Sequence, residues 1–196
     1  MPDRLSIVEP GESADQDVNA LLREATEDWY EDAAFFGAMA HQPAIFKRLV
    51  ETLGSFPQSD AVSSSLLELV RLRVATCHEC AYCGTVRTTD VRDEVAPKEA
   101  AVLGDEIDQA ALTRREALAV ELADAMSRDP HRITDEFFAD LHDEFATDEL
   151  VELLLFCSLE VGLDRFTIAL ELDTTEDSPY PTGLEYPLTD PQSREQ

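Results

Sequence analysis

The chain has 196 residues, 44% of them hydrophobic, which is enough for one substantial core and does not call for a second domain. Its 42 acidic against 15 basic residues leave a net charge of −27, and Lys47 and Lys98 are the only lysines, so the surface repels phosphate backbones and anionic lipids and excludes nucleic acid as a partner. No run approaches the roughly 18 consecutive apolar residues of a spanning helix, and residues 1–4 lack a basic start followed by an apolar segment, so the sequence reads as cytoplasmic, neither in the membrane nor exported.

Taken in order, residues 1–14 read as a tail. Residues 15–39 carry Val18, Leu21, Leu22, Ala25, Trp29, Ala33 and Phe36 at helical spacing, and a shorter helix is expected over 43–53 after the His41-Gln42 break. Residues 61–76 are apolar through Leu66, Leu67, Leu69, Val70, Leu72 and Val74 and lead into a cysteine cluster, followed by an expected helix over 80–91 and a short one over 97–103. Thr113 and Glu116 have the form of a capping box for a helix to about residue 127. Thr134 caps another carrying Phe137, Phe138, Leu141 and Phe145, and residues 147–149 cap a long apolar helix over 150–172, interrupted by Gly162. No stretch alternates as a strand would, so the fold class is all-α over 15–172. Residues 173–196, with Pro179, Pro181, Pro187 and Pro191, should lack regular structure, and their Tyr180, Leu184, Tyr186 and Leu188 suggest docking on a surface such as a neighbouring subunit's.

Cys77, Cys80 and Cys83 fall within seven residues, with Cys157 far off. Such a local cluster is not a framework of distant staples and points to redox chemistry or metal binding. Cys80 and Cys83, three apart at a helix start, can approach closely enough for a readily reduced disulfide, and a helix N-terminus can draw a cysteine pKa from about 8.5 to 7 or lower. Glu68 could accept a proton if the preceding helix packs antiparallel, and Arg87 could stabilise the Cys83 thiolate. Cys157, between Phe156 and Leu159, reads as a small buried hydrophobe. Metal is the rival: Cys77, Cys80 and Cys83 open an iron–sulfur run that lacks its fourth thiolate, and zinc on Cys77, His78, Cys80 and Cys83 would crowd four ligands into seven residues.

The run from Glu68 through Cys80-Ala81-Tyr82-Cys83 resembles the alkylhydroperoxidase D signature, a glutamate followed after eleven residues by Cys-x-x-Cys, and the resemblance extends over about residues 18–172. It implies an alkylhydroperoxidase D-like helical bundle of the carboxymuconolactone decarboxylase superfamily. It also implies homo-oligomers and a cysteine pair that reduces a peroxide or a disulfide, recharged by a thiol or dihydrolipoyl-type reductant, with no bound cofactor. By that resemblance Cys83 is the attacking cysteine, Cys80 its resolving partner and Glu68 the glutamate of the proton relay. The chain departs from the pattern at Tyr82 and Arg87, both histidines in the peroxidases. The decarboxylase branch generally lacks the cysteine pair, which weighs against a lyase. A non-catalytic redox-sensing or scaffold oligomer is the alternative from another class.

Of the remaining polar residues, His41, His131 and His142 read as capping or solvated, and Trp29 and Tyr30 as core or interface aromatics. Glu149, Glu152 and Glu160 read as a solvated face, and Asp164-Arg165 as a pair that reaches the site or a subunit contact. The charge itself suggests a host with a salty cytoplasm, such as an extreme halophile, since the screening length falls to about 3 Å in 1 M salt.

Overall fold

In the computed structural model, which describes residues 4–188, the expected all-α class is the one found, and no strand occurs among the described residues. The helices are α1 (Gln16–Glu24), α2 (Ala34–Met39), α3 (Pro43–Gln58), α4 (Ser64–Cys77), α5 (Ala81–Thr85), α6 (Arg92–Val95), α7 (Glu99–Leu103), α8 (Arg114–Arg128), α9 (Asp135–Glu144) and α10 (Thr147–Leu170). No helix among the described residues is long and apolar enough to cross a membrane.

Helix α4 is the axis of the fold. Every residue from 66 to 75 is buried, because α5, α6, α7, α8 and α10 all pack against it. Leu66, Leu67, Val70 and Val74 join Leu118, Leu122, Leu141 and Leu153 in one cluster, while Leu69 and Leu72 join Val91, Val95, Val102 and Val120 in another. Each such side chain contributes about 1.5–3 kcal/mol by leaving water. A helix buried all round has nowhere to solvate its charges, so Glu68, Arg71 and Arg73 must be satisfied internally. Arg73 binds the Asp124 carboxylate at 2.5 and 2.9 Å and the carbonyls of Val102, Gly104 and Asp105.

Three elements depart from the sequence expectation. Residues 15–39 do not form one helix: α1 widens into a π-helical turn (Ala25–Trp29), and Glu31 takes a left-handed φ of 54°. The buried Asp32 explains the break, because its carboxylate accepts from the N–H of Ala34 and Thr175 and from the hydroxyls of Tyr82 and Thr175. The helix expected over 80–91 stops at Thr85. The Cys83 carbonyl receives the Arg71 guanidinium at 2.7 Å, and the Arg87 N–H turns to the Tyr180 hydroxyl at 3.0 Å, so the backbone bond that would extend the helix is lost at both ends. Gly162 does not interrupt α10, which runs through it with open space where a Cβ would stand.

The capping box at Thr113 and Glu116 and the Thr134 cap form as expected. Thr147 opens α10 as its first residue, and the Glu149 carboxylate accepts the Ala146 N–H at 2.7 Å. Residues 173–188 form no helix and dock on this chain's own α5 region: Leu188 donates its N–H to the Glu79 carbonyl at 2.9 Å, and Tyr186 accepts the Tyr82 N–H at 3.1 Å. Gly84 admits this, since a Cβ there would lie 2.7 Å from the Leu188 side chain. Pro191 lies outside the described residues.

Candidate functional site

The site is built where α4 ends. His78 caps α4, Glu79 reverses the chain in the left-handed region at a φ of 53°, and Cys80 stands extended as the N-cap of α5. The reversal divides the cysteines. Cys77 points its Sγ at Asp124, 3.3 Å away, where burial pushes its thiol pKa up to about 11. Cys80 and Cys83 turn to the opposite side, toward α10.

There the two sulfurs and a carboxylate oxygen of Asp164 lie within 4.8 Å of one another. Thr167, one turn further along α10, gives its hydroxyl proton to the Asp164 carbonyl at 2.7 Å, so its oxygen is left to accept from both thiols, at 2.9 Å from Cys80 and 3.3 Å from Cys83. Cys80 Sγ also accepts the Cys83 N–H at 3.4 Å. All four cysteines are free. Burial raises the Cys83 thiol pKa well above the usual range, and its contact with Cys80 and the Asp164 charge push it the same way. Asp164 is 1% exposed; its Oδ2 meets His78 Nδ1 at 3.2 Å and its Oδ1 has no hydrogen-bond partner among the described residues. A buried carboxylate within 4.8 Å of a protonated thiol can serve as its base once the two close to hydrogen-bond distance.

Two adjacent cavities with four lining residues in common, Tyr30, Leu53, Arg71 and Glu160, lie on the side of Cys83 away from Cys80. The outer is a cleft of about 420 Å³ lined by Trp29, Tyr30, Leu53, Gly54, Leu67 and Phe156 among others, with Glu24, Asp28 and Asp90 among its more polar walls. The inner, about 20 Å³, shares Tyr30, Leu53, Arg71 and Glu160 with it and adds Phe35, Leu163, Asp164 and Cys83. Cys80 lines neither and is fully buried behind Cys83. Glu160 is no solvated surface group: it is buried at the waist between the chambers, and burial pushes its carboxyl up to about 8. Its fellows on α10 are spent otherwise, Glu149 on Arg115 and Glu152 on the Ser59 hydroxyl.

Of the four residues singled out by sequence, the structure brings Cys80 and Cys83 together and directs the charged ends of Glu68 and Arg87 elsewhere. Glu68 is buried and receives the Arg71 guanidinium in a fork at 2.7 Å on each oxygen, with the Thr88 hydroxyl at 2.7 Å and the Thr88 N–H at 3.2 Å. Burial opposes its charge, but Arg71 and Thr88 prevail and hold its pKa below the usual value. Arg87 forks onto Glu99 at 2.8 and 2.9 Å and bonds the carbonyls of Gly84 and Val86. Tyr82 faces away from the sulfurs and gives its hydroxyl proton to Asp32 at 2.7 Å. Asp164 does reach the site, whereas Arg165 is exposed and bonds the Val161 carbonyl. Thr167 and Glu160 were missed as site residues, and His78, weighed from sequence only as a zinc ligand, instead meets Asp164. The signal for them is spacing: Glu160, Asp164 and Thr167 follow at four and three residues on one face of α10. Among the described residues, the grouping that one metal ion could reach is Cys80, Cys83 and Asp164, without Cys77.

No family model matches the chain, and no curated protein matches it. Among solved structures, the debrominase Bmp8, as a cysteine-to-alanine variant in complex with 2,3,4-tribromopyrrole, aligns over 89% of this chain and 95% of its own at a TM-score of 0.70 and 14% identity. A protein of unknown function from Agrobacterium tumefaciens, linked by description to antioxidant defence and AhpD, aligns over 68% of this chain and 92% of its own at a TM-score of 0.49 and 18% identity. The chain therefore shares its fold with the debrominase. The all-helical class expected from the sequence is the one it adopts.

Proposed function

We propose that the protein is a thiol oxidoreductase in which Cys83 attacks and Cys80 resolves. The observation that carries this reading is their arrangement in depth: Cys83 faces the inner chamber, Cys80 lies directly behind it, and Asp164 stands beside both. With a peroxide ROOH, Asp164 takes the Cys83 proton as the sulfur attacks the terminal oxygen. The O–O bond breaks, the departing alkoxide takes that proton from Asp164 and leaves as alcohol, and Cys83 becomes a sulfenic acid. Cys80 then attacks the Cys83 sulfur; its proton leaves with the hydroxyl as water, and the S–S bond forms. An external dithiol, of dihydrolipoyl type, returns the pair to thiols by exchange.

In this reading Glu68 and Arg87 position rather than react. Glu68 orients Arg71, which holds the end of α5 through the Cys83 and Val86 carbonyls, and Arg87 ties the same loop to Glu99. Four free thiols suit a reducing cytoplasm. Exposed Val151 and Leu155, one turn apart on α10, support self-association as a homo-oligomer.

The test is peroxide consumption with a dithiol reductant in high salt. Wild type should turn over, Cys83→Ser should not, and Cys80→Ser with the reductant left out should consume one equivalent and stop with Cys83 as sulfenic acid. No consumption by wild type with any reductant ends the peroxidase reading. The second reading, a redox sensor, is favoured by the grip of residues 186–188 on α5, which a new disulfide would strain. A reversible Cys80–Cys83 bridge without turnover decides for it.

A further inference from the structure

We propose that the outer cleft binds a small, flat aromatic molecule, uncharged or cationic, whose ring lies against Tyr30 and Trp29 and whose narrow reacting end reaches Cys83. The inference rests on the thiol reading for its direction and on the cleft for its content.

Size sets the first limit. The outer chamber, about 420 Å³, holds a single ring with substituents, whereas the inner, about 20 Å³, holds about one atom. With Cys83 only 8% exposed, a disulfide on a folded partner cannot reach it, and the body of any substrate must stop at the waist.

The walls set the second. Trp29, Tyr30, Leu53, Leu67 and Phe156 supply aromatic and aliphatic surface. The sequence distorts its backbone to place the first two: Trp29 closes a π-helical turn, Tyr30 follows, and Glu31 sits at a φ of 54°. Single π turns and left-handed non-glycine residues gather at functional sites because both cost stability.

Charge sets the third. Arg71 is the one cation among the lining residues, and it is already committed: four of its N–H groups bind Glu68 and the carbonyls of Cys83 and Val86, and its guanidinium lies over the Tyr30 ring at 5.3 Å. Exposed Glu24, Asp28 and Asp90 then make the outer walls negative. Glu160 is buried with charged neighbours but no hydrogen-bond partner among the described residues, and held protonated it can donate to a neutral oxygen or nitrogen on the ring. An anion meets repulsion throughout and finds no free cation to offset its desolvation.

Trp29 is the only tryptophan, so its fluorescence reports on the cleft. The probes are benzyl alcohol, benzylammonium and benzoate, near-isosteres that differ in charge, titrated at the lowest potassium chloride concentration that keeps the protein folded, so that the wall charges are not screened out. Benzyl alcohol and benzylammonium should change the emission saturably and slow iodoacetamide alkylation of Cys83 several-fold, and benzoate should do neither. Gly54 faces Trp29, with room for a Cβ at 3.7–3.8 Å, so Gly54→Ala should still bind while Gly54→Leu fills the cleft and abolishes both effects. Equal binding of benzoate, binding unchanged in Gly54→Leu with Gly54→Ala folded, or binding that leaves Cys83 alkylation unaltered would each overturn the proposal. Binding by Cys83→Ser should match wild type. Loss of ring binding alongside intact disulfide cycling would sink this inference alone, and intact ring binding without cycling would sink the thiol reading alone.

Discussion

At Cys83 the protein does the opposite of what a reactive cysteine usually enjoys: it buries the thiol against a carboxylate and keeps it protonated. The nucleophile is then made during attack by proton transfer, which makes Asp164 the residue to test. Replacing Asp164 with asparagine removes a neighbouring negative charge, so the pH midpoint of Cys83 alkylation should fall while peroxide turnover drops by about 10²–10⁴-fold. In the same titration Arg87→Ala should leave the midpoint where it is, because that guanidinium is committed to Glu99. A rise with Arg87→Ala and no fall with Asp164→Asn would make Arg87, not Asp164, the charge that Cys83 feels. Glu160 makes a second residue-scale test. Its carboxyl titrates near 8 when folded and near 4.5 when unfolded, so the folded state binds the extra proton between those values and stability falls as pH rises through that window. Wild type should thus lose a few kcal/mol relative to Glu160→Gln between about pH 5 and 8 in chemical denaturation. A pH-independent difference between the two would place Glu160 in water. The cysteine pair was legible because its partners are three residues apart. Asp164 was legible only as half of a pair that reaches the site or a subunit contact, since its meeting with His78 spans 86 residues of sequence.

The elements were easier to foresee than their ends. Periodicity located the helices, yet the breaks at residues 30–33 and 86–88 are set by Asp32 and Arg71, whose partners lie on other elements and leave no local trace. Helix α4 shows the same limit: its apolar residues were visible, but that Glu68, Arg71 and Arg73 were also interior follows only from what surrounds it. Arg71→Met should therefore cost about 3–5 kcal/mol by leaving Glu68 buried and unpaired. Calorimetry on Arg71→Met and on Arg71→Met with Glu68→Leu checks this, with the double variant recovering part of the loss. An Arg71→Met protein as stable as wild type would mean that the pair is hydrated.

For the whole molecule, the −27 charge is carried by a single small body whose few cations are largely consumed in local pairs such as Arg73–Asp124, Arg87–Glu99 and Arg115–Glu149. What remains outside those pairs is repulsion, and added salt should relieve it. The melting temperature should rise between low and molar potassium chloride, with the gain saturating as the screening length drops below the spacing of surface charges. A flat response would show that the excess acid is dispersed widely enough to be harmless.

The hold of Tyr186 and Leu188 on the backbone around Cys80 also has an order in time. A ribosome delivers both cysteines about a hundred residues before it delivers the segment that covers them. Until synthesis passes Leu188, the stretch around Cys80 stands without its outer wall, open to any oxidant in the nascent chain's surroundings. The chain closes that window itself once Tyr186 and Leu188 dock on the backbone at Tyr82 and Glu79.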